Sequence, residues 1–264
     1  MESPLEPEKL VPEPRWIRPP GLELLMGLSI FALLFGVYFG AQLGFFIYEV
    51  VRHTPELAAQ TFSIHMLDDD AFKQSSTELF YNGDVVTRVT IAADGFCLVI
   101  LLLVVGLWKR SNLVTFLGLR PPMFKPFAAW LGLFVLVFCA LEGLGQLFPD
   151  LDSETMKRII GSTTNLPLAF IGLALMPAIF EELLLRGLLF GSLRHMLHKH
   201  YAVAITAGVF AMMHMQYAWY IQVLLVLPLG VFLGYSRANT GSVWTSVTMH
   251  MLNNAVAVLV PQLI

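Results

Sequence analysis

The stretch Met176-Pro-Ala-Ile-Phe-Glu-Glu-Leu-Leu-Leu-Arg-Gly-Leu-Leu-Phe190 sets Glu181, Glu182 and Arg186 inside a run that is otherwise apolar from Leu166 onward. A charged side chain at the centre of a membrane helix costs roughly 2.5 to 3.5 kcal/mol on insertion-based scales. A chain keeps three together only where they pair, face protein or line a watered cavity. Residues four apart share a helix face, so Glu182 and Arg186 are expected to pair. Glu181, turned by about 100° from Glu182, faces elsewhere without a local cation, which suits a general base. The competing reading is that all three charges clamp this helix to its neighbours.

Composition supports a membrane setting. The chain is 56 % hydrophobic and 13 % charged, with a mean hydropathy of +0.70, outside the soluble globular range. The net charge of −3 and the lack of a basic tract give no support to nucleic acid as a partner. Cys97 and Cys139 fall in apolar segments and read as small core residues rather than a disulfide. Residues 1–20, rich in Glu and Pro, do not read as a cleaved signal peptide. They are expected to form a cytoplasmic tail ahead of a first span that serves as its own insertion signal.

The expected fold is all-α: a polytopic transmembrane bundle of about seven spans with no β-sheet. Spans are expected near 22–50, 89–108, 127–148, 166 onward, 201–214, 218–236 and 242–263, most of them of the roughly 20 residues that cross a bilayer. Residues 21–165 hold spans one to three, with a long polar, acidic loop at 52–87. Residues 166–264 hold spans four to seven as the catalytic core, and span four is expected to run on as an amphipathic tail to Lys199. Basic residues follow spans two, four and six, while the loops after spans one and three are acidic. By the positive-inside rule the N-terminus is cytoplasmic and the C-terminus lies on the far side, in a plasma or inner membrane. No internal repeat supports a transporter.

Two further polar constellations lie in apolar helices. Phe210-Ala-Met-Met-His214 sets His214 on the face of Phe210, and His250-Met-Leu-Asn-Asn254 does the same for His250 and Asn254. Spans four and five form a hairpin about the basic turn 194–200, which puts Glu181 and His214 at similar depth. His250 lies about 12 Å into span seven from the same side. A carboxylate beside an imidazole can take a proton from water and return it to a leaving amine. A second His and an Asn amide can donate to an oxyanion. Alternatively, Glu181, His214 and His250 could hold a divalent cation of the zinc type with a water in the open position. Both arrangements hydrolyse amides.

At these residues the sequence resembles the CAAX protease and bacteriocin-processing (CPBP, or Abi) family of intramembrane proteases, which includes the Ras-converting CAAX endopeptidase. The family pattern of Glu-Glu-x-x-x-Arg, Phe-x-x-x-His and His-x-x-x-Asn stands here as Glu181-Glu182…Arg186, Phe210…His214 and His250…Asn254, in that order. The resemblance covers about 166–258. It implies an endopeptidase acting on a peptide or membrane-protein segment near the cytoplasmic side. It further implies that Glu181 and His214 activate water, that His250 and Asn254 form the oxyanion hole, and that Glu182, Arg186 and Phe210 support them. Both a zinc-type metalloprotease and a metal-free glutamate mechanism are compatible with it. Asn253 competes with Asn254 for the inward position. The rival reading is a non-catalytic membrane partner or immunity-type protein that uses the cluster for packing. Glu142 is expected to reach the interface, and His195, His198 and His200 to form a solvated basic turn.

Overall fold

The computed structural model describes residues 19–60, 62–145 and 153–260, with side chains throughout except at 141–145. Glu142 therefore lies outside the described side chains, and most of the tail 1–20 lies outside the described residues. Among the described residues there are helices and no strands. They run as α1 Pro20–His53, α2 Asp70–Leu79, α3 Gly83–Lys109, α4 Leu113–Leu117, α5 Phe124–Gly145, α6 Glu154–Gly161, α7 Leu166–Leu193, α8 Lys199–Met213, α9 Trp219–Thr240 and α10 Val243–Leu259. Length and apolarity establish four membrane-spanning candidates: α1, α3 continued by α4, α7 and α9. The apolar part of α5 is shorter, and α8 and α10 have 15 and 17 residues. The chain is thus an integral membrane protein by its apolar helices, with four of the seven expected spans met by this measure.

Two boundaries differ from the sequence expectation. The polar stretch after α1 is helical over much of its length, and α3 starts at Gly83 rather than near 89. Asn82 caps it by accepting from the Val85 amide at 3.0 Å, which satisfies one of the four free N–H groups of a helix start. Asp84 in its first turn accepts from the Thr164 amide, fixing the entry to α7. At the other end, α7 stops at Leu193 instead of continuing to Lys199. The Arg194 guanidinium folds onto the Leu197 carbonyl at 2.6 Å, and His198 takes the N-cap position of α8. The basic residues 194–200 make a turn, not a tail.

α1 and α3 are antiparallel and tied at both ends. Glu23 accepts from Lys109 at 2.5 Å, and Glu49 from Arg88 at 2.9 Å. α7 runs through the middle of the molecule. Leu183, Leu184 and Leu188 pack with Leu34, Leu101 and Val247 on one side. Leu185, Leu189 and Leu193 pack with Val203, Phe210 and Leu233 on the other. A helix apolar all round is buried all round, and that is what holds the charges of α7 away from lipid.

The two long C-terminal helices are not regular. π-helical turns occupy Phe170–Leu175 and Leu183–Leu189 of α7, and Gln222–Val226 of α9. Pro177 and Pro228 each sit just after such a turn. Proline has no N–H to give and its ring crowds the carbonyl four residues back, so the widened turn accommodates it within a continuous helix. The middle turn follows Glu182 directly and contains Arg186, at the place where wide turns tend to mark functional sites.

Candidate active site

Glu182 and Arg186 pair along α7 at 2.7 Å, both fully buried. The same Glu182 oxygen, Oε1, lies 3.1 Å from Nδ1 of His250 on α10. A carboxylate only accepts, so Nδ1 of His250 carries the proton of this bond. Arg186 also donates from Nη2 to the Gly230 carbonyl of α9 at 2.8 Å, and its guanidinium stacks 4.7 Å from the centre of the Phe210 ring. One ion pair thus ties α7 to α8, α9 and α10.

Glycine makes two of these approaches possible. A Cβ at Gly230 would stand 3.1 Å from the Phe210 ring and 3.2 Å from Ala207 Cα. Gly118, at the left-handed end of α4 (φ +71°), would carry its Cβ 2.4 Å from Arg237 Nη2. Arg237, buried on α9, passes over it to donate from Nε to the Arg186 carbonyl at 3.1 Å. That bond gives a partner to a carbonyl within the π-helical turn, where the regular ladder is interrupted.

Phe210 joins the two histidines. Its ring meets His250 edge-on at 5.3 Å and His214 at 4.5 Å. His214 caps α8, with Nδ1 2.7 Å from the Phe210 carbonyl. A carbonyl likewise only accepts, so Nδ1 carries the proton, and in the neutral ring Nε2 is left as an acceptor. Glu181 is buried beside this network but outside it. Its Oε2 has no hydrogen-bond partner among the described residues, while its charge lies in range of His250, Glu182 and Arg186. On α10, Asn254 Oδ1 accepts from Asn253 Nδ2 at 3.3 Å, which leaves the Asn254 amide N–H groups as donors.

The structure therefore links Glu182, Arg186, Phe210, His214 and His250 through contacts, and puts Glu181 in their midst. No hydrogen bond joins Glu181 to His214, or Asn254 to His250, among the described residues. There, too, no group of three or more His, Cys, Asp or Glu side chains stands where it could hold a metal ion, so Glu181, His214 and His250 do not fit one as arranged. Sequence reading passed over Gly230 and Arg237, which hold the ion pair through backbone contacts that no motif announces. It also passed over Asp94 of α3, fully buried. That residue carried a signal, an Asp inside the apolar run 89–108, open to the same cost argument as Glu181.

Arg194, His195, His198 and His200 lie at the far end of α7, away from this cluster. His200 pairs with the Tyr235 hydroxyl at 2.6 Å. His195 is half-buried against Phe116, less solvated than expected of that turn. Cys97 is buried and Cys139 exposed, both as free thiols.

No curated protein and no solved structure matches the chain. Residues 163–256 match the family described as type II CAAX prenyl endopeptidase, Rce1-like. The match begins just ahead of α7, ends in α10 and encloses all three motifs, and so this stretch of the chain is a domain of the Rce1-like CAAX endopeptidase family.

Proposed function

We propose that the protein is an intramembrane endopeptidase in which Glu181 is the general base. What supports this is the contrast between two adjacent glutamates. Glu182 Oε1 is occupied by both Arg186 and His250, with only its Oε2 left without a partner, whereas no cation or imidazole is bonded to Glu181 among the described residues and its buried Oε2 is free to accept from water. Glu181 takes a proton as the water oxygen attacks the scissile carbonyl, and that proton passes to the leaving nitrogen as the C–N bond breaks. His214, whose Nδ1–H is held by the Phe210 carbonyl, offers Nε2 as an acceptor that relays this proton from Glu181 to the leaving nitrogen.

His250 and Asn254 stabilise the oxyanion. With Nδ1–H of His250 given to Glu182, a second donor at Nε2 requires the imidazolium form, and the Glu182 carboxylate is its counter-charge. The Asn254 amide supplies the other donor. We place the N-terminus in the cytoplasm, which sets the cleavage near the cytoplasmic side. The substrate is a peptide or membrane-protein segment, with prenylated C-terminal cysteine peptides as the first class to try.

The test is cleavage by the purified full-length protein in lipid nanodiscs. The substrates are peptides ending in cysteine, two aliphatic residues and a variable residue, prenylated or not, alongside a mixed set of membrane-segment peptides. The wild type is expected to cleave at least one, and Glu181→Gln none. Activity that survives chelation supports glutamate-activated water, and activity lost on chelation and restored by zinc supports the metal route. Equal cleavage by wild type and Glu181→Gln, or none by the wild type on any substrate, overturns the proposal.

A further inference from the structure

Asp94 sits inside α3, in the part of the chain that precedes 163–256. Its Oδ1 accepts from Gln42 Nε2 of α1 at 3.3 Å. Its Oδ2, like Oε2 of Glu181, is buried without a hydrogen-bond partner among the described residues. Asp94 and Glu181 lie within range of each other's charge, and Tyr38 of α1 within range of both. Tyr38 also stacks 4.9 Å from Phe180, the residue before Glu181.

The helix geometry explains the proximity. α3, continued by α4, runs in the same direction as α7 and touches it along its length. Gly172 faces Thr87, Gly95 faces Met176 and Gly187 faces Leu117. Tyr38 and Gln42, four apart and so on one face of α1, meet Phe180 and Asp94 respectively, which sets Asp94 and Glu181 at neighbouring levels. No hydrogen bond joins the two carboxyl groups directly. An acceptor left orphaned in the interior loses the hydrogen bonds it made to water in the unfolded chain. A donor with two polar hydrogens placed between them satisfies both, and water is the smallest such group.

We infer that Asp94 is a second carboxylate of the active site: Asp94 Oδ2 and Glu181 Oε2 each accept one O–H of the attacking water. This rests on the peptidase reading and extends it to a helix outside the family-matched segment. With both O–H groups held, a lone pair of the water is aimed at the carbonyl carbon. Glu181 takes one proton as the C–O bond forms and gives it to the nitrogen as the C–N bond breaks. The second O–H remains on the new carboxyl product until release. Asp94 neither gains nor loses a proton in the step. The groups facing it are Gln42 and Tyr38 from α1, Cys97 from its own helix and Glu181 from α7, and Gln42 holds its free oxygen in place.

The experiment compares wild type, Asp94→Asn, Gln42→Leu, Glu181→Gln and the Asp94→Asn/Glu181→Gln double variant, as full-length protein in nanodiscs. The readouts are Tm and cleavage of whichever peptide the wild type cuts. Asp94→Asn keeps the shape and the acceptor for Gln42, but turns a donor towards the water. It is expected to lower kcat at least about tenfold with KM within about twofold and Tm not reduced, a split that mere loosening of helix packing would not give. Gln42→Leu is expected to lower kcat by less, again at constant KM. In the Tm cycle, the two carboxylate substitutions are expected to deviate from additivity by about 2–4 °C.

A kcat for Asp94→Asn within twofold of wild type, with Glu181→Gln inactive, overturns this inference and leaves the peptidase reading standing. Additive Tm shifts also overturn it, and that arm needs no substrate. Undiminished cleavage by Glu181→Gln overturns the peptidase reading itself, and with it the shared water.

Discussion

The polar interior has two halves that meet at the bond between Glu181 and Glu182. The half around Glu182 is heavily bonded, with contacts to Arg186 and His250 and, through Arg186, to the Gly230 carbonyl and the Phe210 face, and only Glu182 Oε2 and Arg186 Nε lack a partner among the described residues. The half around Glu181 and Asp94 has one weak hydrogen bond, from Gln42, and two free buried oxygens. A fold gains from satisfying buried polar groups and loses by leaving them open. The bonded half therefore reads as architecture, and the open half as the place where a reactant completes the bonding. The difference also follows the helix register. Glu182 faces the C-terminal helices, whereas Glu181 comes within reach of α1 and α3.

The sharpest way to break this division is Arg186→Met. It removes the cation and leaves Glu182 buried beside an apolar side chain, a class of change that costs about 3–5 kcal/mol. The variant is expected to fail to accumulate in membranes, or to lose at least about 10 °C in Tm by thermal unfolding in nanodiscs. If it keeps both stability and expression, the bonded half is not architecture. Glu181→Gln probes the other half. A general base contributes about 10²–10⁴-fold, so cleavage should drop by that factor while Tm holds or rises. A Tm loss as large as that of Arg186→Met would put Glu181 among the structural charges.

Asn254→Ala comes next. Removing one oxyanion donor costs about 10²–10³-fold in kcat, and Asn253→Ala should cost far less. The reverse order would assign the inward amide to Asn253. At the membrane edge, Arg88→Ala unties one end of the α1–α3 pair. Arg88 is partly exposed and Glu49 keeps Arg52 at 3.6 Å, so about 1 kcal/mol or less is expected. A Tm drop of no more than about 4 °C, with kcat unchanged, would fit a purely mechanical tie.

The bonded half was legible in the sequence and most of the open half was not. Glu182–Arg186 follows from helical spacing alone, and the three motifs lie within residues 163–256. The Phe210–His214 spacing also foretold a contact, although His214 makes it from the helix cap. What spacing could not give is partnership across helices far apart in sequence. Gln42 reaches Asp94 over 52 positions and Arg237 reaches Arg186 over 51, and neither bond leaves a periodic trace. The π-helical turns were invisible for a related reason. Pro177 and Pro228 advertise a disturbance, but whether a helix kinks, breaks or widens is decided by packing. The start of α3 is not legible because Gly83-Asp84-Val-Val-Thr-Arg88 looks polar, whereas Asn82 caps the helix, Asp84 in its first turn binds Thr164, and Arg88 is matched by Glu49.

The smallest effect lies outside the bilayer, at the turn after α7, where a second buried ion pair meets a titratable neighbour. Burial pushes the His195 imidazole down to about 4, with the Lys109 charge adding to the effect and the Glu23 charge opposing it. An unfolded His titrates near 6.5. The folded state thus binds fewer protons than the unfolded state between those values, and stability rises with pH across the window. The contribution is complete above about pH 6.5 and is lost as the pH falls from there towards about 4. The ring is only half-buried, so solvent screens the effect. The measurement is the Tm of wild type against His195→Phe, which keeps the stack on Phe116 at 6.2 Å without the titration. The wild type should lose more Tm than the variant between pH 7 and pH 5, while cleavage measured at pH 7 should be equal in the two. Parallel slopes would mean that the ring is solvated, that the turn takes no part in the stability of the Glu23–Lys109 pair, and that the bonded architecture ends at Leu193.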